Sequence, residues 1–201
     1  MEKREAILSC AKRLFARKGY DATSMDEVSK CADVNKALIY YHFKSKENLY
    51  STILLHSISS IHDSIKARID DIASPEIGLK VYIDAFYMEA VKNNAFFRIL
   101  MREVASDGAH LSKEVLETFL MVLDILKGII ESGVEKGIFD ERDTKVIHFL
   151  IVGTISFYLC SSELRKKMSE DFLDREELLK DIGDVSQQLY EIIVRGLKSD
   201  V

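Results

Sequence analysis

With 201 residues the chain can bury one sizeable core or two small ones, and its composition, 47% hydrophobic and 30% charged, lies in the ordinary globular range. The formal net charge of −5 excludes a uniformly basic nucleic-acid binder. The charge is uneven, however: residues 1–50 hold ten Lys/Arg against seven Asp/Glu, a net of +3, while the rest is net −8. A positive head on an acidic body suits a sequence-specific binder with a separate regulatory part. One proline and nine glycines leave long uninterrupted stretches, so the predicted fold class is all-α.

The first predicted helix covers residues 3–18. Ile7, Leu8, Ala11, Leu14 and Phe15 recur at three- and four-residue intervals, and Gly19 ends the helix. Residues 23–46 read as two short helices with a tight turn between them. Thr23 or Ser24 caps the first, and Ser24 with Glu27 has capping-box spacing. Asp33 stands where the chain must reverse, and Asn35 can cap the second helix. On a helical wheel Ile39 and Phe43 share one side of that second helix; Lys36, Ala37, Tyr40 and Tyr41 lie on the other. So short a helix is stable only with Ile39 and Phe43 buried. Residues 34–46 hold three Lys, one His and no acid. A small residue, two phenols and flanking cations on an outward face suit a DNA major groove. Adjacent tyrosines also serve as half-buried packing residues, and the same shape occurs without DNA binding, so the residues leave both readings open.

The run from Ala32 through Lys36, Tyr40, His42, Phe43, Ser45 and Lys46 to Glu47 and Leu49 resembles the DNA-binding domain of TetR/AcrR-type transcriptional repressors. The stretch from Ala11 to Ser24 is similar to that family's first helix and following turn. Asp33, Ala37 and Leu38 stand where the family pattern has Gly, Gly and Thr. The resemblance implies a helix-turn-helix domain over residues 1–46 and a helical ligand-binding and dimerisation domain over 47–201. It implies DNA contacts from Thr23, Ser24, Lys36, Ala37, Tyr40, Tyr41, His42 and Lys46.

A long helix is predicted over residues 45–71, with Leu49, Ile53, Leu54, Ile58, Ile61, Ile65 and Ile69 at helical spacing, and is read as the link from head to body. Ser74 and Pro75 restart the chain, Ser as cap and Pro at the first helical position. Further helices are predicted over residues 75–92, 95–106 and 111–136, then 143–166 and 175–197. Residues 146–160 are apolar nearly all round but fall short of the ~20 needed to span a membrane, so that helix is read as buried on several sides. The last two helices imply, by the same resemblance, a four-helix dimer bundle, with Val152, Ile155, Leu189 and Ile193 at the interface. The body's aromatic and Met residues can simply fill a core; the resemblance implies an effector pocket among the helices between the long helix and that pair, with Phe86, Phe97, Met101, Phe119, Phe149 and Phe157 as its candidates. Glu89, Arg98, Arg102 or His148 would supply a polar anchor.

Sequence signatures of catalysis are missing: no Gly-x-Ser-x-Gly, no phosphate loop, no His-Glu-x-x-His and no Glu three residues before any His. The chain is therefore expected not to be an enzyme, with no cofactor and no metal. Cys10, Cys31 and Cys160 have neither metal nor redox spacing; Cys10 and Cys31 read as small buried hydrophobes, and the odd count fits a reducing cytoplasm. No signal peptide and no membrane partner are expected. The function expected is a homodimeric, ligand-responsive transcriptional regulator, a repressor of a palindromic double-stranded DNA operator released by a small hydrophobic or amphipathic effector. The rival is a helical small-molecule-binding or adaptor protein that keeps the head shape without operator binding.

Overall fold

The computed structural model describes residues 2–69, 74–171 and 184–198. Among these, ten α-helices are the only regular elements: α1 (Glu2–Lys18), α2 (Met25–Ala32), α3 (Lys36–Phe43), α4 (Lys46–Ile69), α5 (Pro75–Lys92), α6 (Asn94–Ala105), α7 (Lys113–Glu135), α8 (Thr144–Cys160), α9 (Ser162–Asp171) and α10 (Val185–Leu197). Packing divides the chain into two compact units, one of Met1–Ser60 with Asn93–Leu120, the other of Ile61–Lys92 with Met121–Val201. Both units take residues from beyond position 46, and α4 contributes to each.

In the first unit α1 packs on α2, α3 and α6. Ile7, Ala11, Phe15, Met25, Val28, Ile39 and Phe43 are buried together with Leu49 and Ile53 of α4. Acidic Glu2 and Glu5 begin α1 and basic Arg17 and Lys18 end it, the order the helix dipole favours. Gly19, at φ 87°, closes α1 with its N–H on the Phe15 carbonyl. Arg102 of α6 then donates to the Ala16 and Arg17 carbonyls at 3.2 and 2.7 Å, satisfying acceptors that a helix end leaves open. Arg102, a candidate anchor for a ligand, is committed to this cap. Next to it Glu103 is buried and accepts from the Tyr50 hydroxyl and the His110 N–H.

Cys10 and Cys31 are not two isolated thiols. They are joined as a disulfide between α1 and α2, with Cα atoms 5.8 Å apart. Cys10 is buried as expected, but Cys31 is exposed. The helical spacing hid the pair because the bridge joins two helices, not two turns of one. With two of the three cysteines paired, the odd count no longer points to a reducing compartment.

In the second unit α5 packs on α8 and α10 around Leu79, Tyr82, Ile83, Phe86, Ile147, Ile151, Ile155, Leu189 and Ile193. The buried Tyr82 hydroxyl lies 3.3 Å from His148 Nδ1 and 3.4 Å from the Val122 carbonyl. Burial pushes the Tyr82 phenol up and the His148 imidazole down, holding both neutral. Gly133 of α7 admits Phe139, whose ring occupies the space a Cβ would fill. The helix predicted over 143–166 breaks at Ser161: α8 and α9 meet at 52°. Arg165 donates to the Tyr158 carbonyl and to Ser161 Oγ, and its guanidinium stacks 4.1 Å over the Tyr158 ring. These contacts stabilise the break. Residues 172–183, where the last helix was expected to start, lie outside the described residues. Among the described residues no single helix is long and apolar enough to cross a membrane.

Candidate nucleic-acid interface

The local sequence around α2 and α3 sets their ends. Ser24, not Thr23, is the N-cap of α2: its hydroxyl accepts from the Glu27 N–H at 3.2 Å and Glu27 accepts from the Ser24 N–H at 3.0 Å. Hydrogen bonds from Lys18 and then from the Ser24 backbone hold the Glu27 carboxyl down at about 2. Asp33 makes the turn in the left-handed conformation, φ 49° and ψ 51°, with its N–H on the Ser29 carbonyl. Asn35 caps α3 by accepting from the Leu38 N–H at 2.7 Å.

With both ends fixed, α3 turns Ile39 and Phe43 inward and leaves Lys36, Ala37, Tyr40 and Tyr41 exposed. Tyr41 is 70% exposed and Tyr40 41%, so neither phenol is used up in the core. Lys36 is exposed and paired with Asp26 at 2.9 Å, and its hydrogen bond to that carboxylate raises its pKa. Around these, the other candidates divide. Ser24 is exposed; His42 is half-buried, its ring edge-on to Tyr41 at 5.2 Å. Lys46 is half-buried, with Nζ 4.2 Å over the Tyr20 ring and 3.5 Å from the Asp21 carbonyl. Thr23 departs from expectation: it is buried, and its hydroxyl donates to the Gly19 carbonyl at 2.7 Å. It braces the α1–α2 turn and presents nothing outward. Lys44, absent from the candidates, is exposed at φ 66° with Nζ on the Tyr41 carbonyl and 5.6 Å over the Tyr41 ring. The run of three lysines pointed to it; its unusual backbone geometry had no sequence signal.

The body residues need two corrections. Phe149 and Phe157, expected to line a pocket, are 70% and 66% exposed. Ile155, Leu189 and Ile193, expected at a dimer interface, are buried inside their own unit, and Val152 is half-buried. The exposed apolar face of α8 and α10 consists instead of Val146, Phe149, Leu150, Phe157 and Ile192. A groove lined by Val146, Ile147, Leu150, Ile192, Ile193 and Leu197 runs along it, with Arg142 and Asp143 at one edge. Of the other pocket candidates, Phe86 and Phe97 are buried, while Met101 and Phe119 are half-buried. Phe86 belongs to the second unit and the other three to the first. Among the described residues no cluster of three or more His, Cys, Asp or Glu is placed to hold a metal ion.

A helix-turn-helix that bares phenols, a lysine and a small residue on its second helix, carried on an all-helical body, defines a DNA-binding regulator. Two family patterns agree: bacterial regulatory proteins of the tetR family match residues 7–53, and the tetracyclin repressor-like C-terminal domain matches residues 75–196. The chain is 27% identical to the HTH-type transcriptional repressor NicS of Pseudomonas putida over 201 residues, 97% of this chain and 92% of that one. It shares 45% identity over 60 residues with the regulator AcrR of Shigella flexneri, 30% of this chain and 28% of that one. Among solved structures, the TetR-family regulator PfmR of Thermus thermophilus superposes with a TM-score of 0.73 at 26% identity, covering 98% and 97% of the two chains. The regulator FadR of Bacillus subtilis, solved in complex with stearoyl-CoA, superposes at 0.76 with 20% identity, covering 97% of this chain and all of that one. The chain belongs to the TetR family of bacterial regulatory proteins and is a DNA-binding transcriptional regulator.

Proposed function

We propose that the protein is a homodimeric cytoplasmic repressor, without a catalytic step, that grips a palindromic operator through α3 of each subunit. The observation that carries this is the split of α3, with Ile39 and Phe43 buried and Tyr41 70% exposed beside Lys36, Ala37 and Tyr40. Those four side chains read base edges, while Lys44, Lys46, His42 and the capped start of α2 at Ser24 hold phosphates. Two heads on one symmetric dimer explain a palindromic site, with half-sites about one helical turn, ~34–36 Å, or a multiple apart. The dimer forms through the exposed face of Val146, Phe149, Leu150, Phe157 and Ile192, an apolar surface of the kind that marks association.

Release follows from an effector that fits one conformation of the body better than another. A hydrophobic or amphipathic molecule suits a body rich in Phe, Tyr and Met, and the same fold in FadR of Bacillus subtilis holds stearoyl-CoA. The α4 helix, which supplies residues to both units, is the continuous element through which the shift reaches the head.

The test is selection of binding sites from random duplex DNA with the full-length protein. Enrichment of an inverted repeat supports the reading, and failure to enrich any sequence sinks it. On the selected site, Tyr41→Ala should weaken binding by about 1–3 kcal/mol, roughly five- to 150-fold, with thermal stability unchanged. Affinity should fall linearly on a log–log plot against salt.

A further inference from the structure

The disulfide in the head has features that operator binding does not use. Cys10 lies on the inward face of α1 and is buried; Cys31, in the last turn of α2, is exposed. Arg13, one turn along α1 from Cys10, places Nη2 3.3 Å from each sulfur. No carboxylate pairs with that guanidinium among the described residues. The arrangement joins one exposed cysteine, one buried cysteine and one cation within hydrogen-bond distance of both sulfurs. An adjacent guanidinium favours the thiolate over the thiol, and the thiolate is the nucleophile. A purely structural bridge would need neither the exposed cysteine nor the cation.

The geometry points to Cys10 and Cys31 as a reversible thiol-oxidation site that takes a small hydroperoxide as its oxidant. In the reduced chain the exposed Cys31 thiolate attacks one peroxide oxygen. An S–O bond forms, the O–O bond breaks, and the other oxygen leaves as water or an alcohol after taking up a proton. The Cys31 sulfur is oxidised by two electrons to the sulfenic acid and the peroxide is reduced by two. The Cys10 sulfur then attacks that sulfenic sulfur. The S–S bond forms and the hydroxyl leaves as water with the proton given up by Cys10. A dithiol reductant restores both thiols by exchange. The overall change is two thiols and one hydroperoxide to one disulfide, one alcohol or water, and one water.

Closing the bridge ties α2 to α1 without disturbing the recognition unit. With it in place, the Ser24 capping box, the Asp33 turn and the Asn35 cap are all formed. Oxidation therefore fixes the helix that precedes the turn aiming α3, and the oxidised chain should melt at a higher temperature than the reduced one. The third cysteine, Cys160, belongs to the other unit and serves as an internal reference.

The experiment treats reduced, desalted full-length protein with one equivalent of hydrogen peroxide, followed by thiol titration and peptide mapping. Two of the three thiols should be lost, with Cys10 linked to Cys31 inside one chain and Cys160 unchanged, and dithiothreitol should restore them. Cys10→Ser should leave Cys31 as a sulfenic acid that dimedone captures. Arg13→Gln should slow alkylation of reduced Cys31 near neutral pH roughly tenfold, because the thiolate loses the neighbouring cation that favours it. The proposal is overturned if wild-type Cys31 reacts with peroxide no faster than Cys160. It is equally overturned if no Cys10–Cys31 link forms, or if Arg13→Gln, still folded by circular dichroism, leaves the pH profile of Cys31 alkylation unchanged. None of these readings depends on operator binding.

Discussion

The two compact units treat surface aromatics in opposite ways. In the first, the exposed rings of α3 are tyrosines, Tyr40 and Tyr41, each with a hydroxyl for water or a polar partner. In the second, the exposed rings of α8 are phenylalanines, Phe149 and Phe157, among Val146, Leu150 and Ile192, with no polar group to offer. The first surface suits a hydrated, charged duplex. The second gains only by leaving water, which suits another copy of itself. On the proposed reading the same class of residue serves two kinds of recognition, separated by one hydroxyl.

The sharpest way to break this comparison uses neighbouring residues of α10. Ile193 is 4% exposed and Ile192 68%. Ile193→Glu should cost at least about 3 kcal/mol, through lost packing and an unpaired buried charge, and should unfold the second unit in a thermal melt. Ile192→Glu should keep its helix content and elute as a monomer on sizing. If Ile193→Glu instead yields a folded monomer, the inward and outward faces of α10 have been exchanged.

A smaller effect tests the split between Thr23 and Ser24. Thr23→Val removes the hydroxyl that satisfies the Gly19 carbonyl and should lower stability by about 1–2 kcal/mol in urea unfolding. Ser24→Ala should cost about 1 kcal/mol through the lost cap of α2. It should also weaken operator binding in proportion to its phosphate contact, whereas Thr23→Val should leave affinity per folded molecule unchanged.

The smallest effect is one of pH. Glu27 is held at about 2, below its usual 4.5, first by Lys18 and then by the Ser24 backbone. Its folded pKa is depressed, so its contribution is complete above 4.5 and is lost as pH falls toward 2. Glu27→Gln should therefore flatten the decline in head stability across that window, read by denaturant melts at stepped pH. An unchanged decline would mean that other carboxylates carry it.

Much of the head was legible because its information is local. Capping at Ser24 and Asn35 depends on residues three apart, and the reversal at Asp33 on one residue's tolerance of positive φ. The inward side of α3 follows from Ile39 and Phe43 standing four residues apart, with Lys36, Ala37, Tyr40 and Tyr41 left exposed. By contrast, α8 is apolar on nearly every side, so periodicity carried no direction. Nothing in that pattern separates the pocket candidates Phe149 and Phe157, which lie exposed, from the interface candidate Ile155, which lies buried.

The sequence alone determined that this chain is helical, where most helices start and stop, and that its second short helix bares a lysine and two phenols. Each of these depends on interactions within a turn or two of chain. Only the tertiary structure decided that Cys10 meets Cys31, that Arg102 closes α1, that Thr23 is a brace, and which face of α8 stays bare. Those outcomes depend on which distant segment arrives alongside, and the spacing of residues in one helix holds no record of what packs against it.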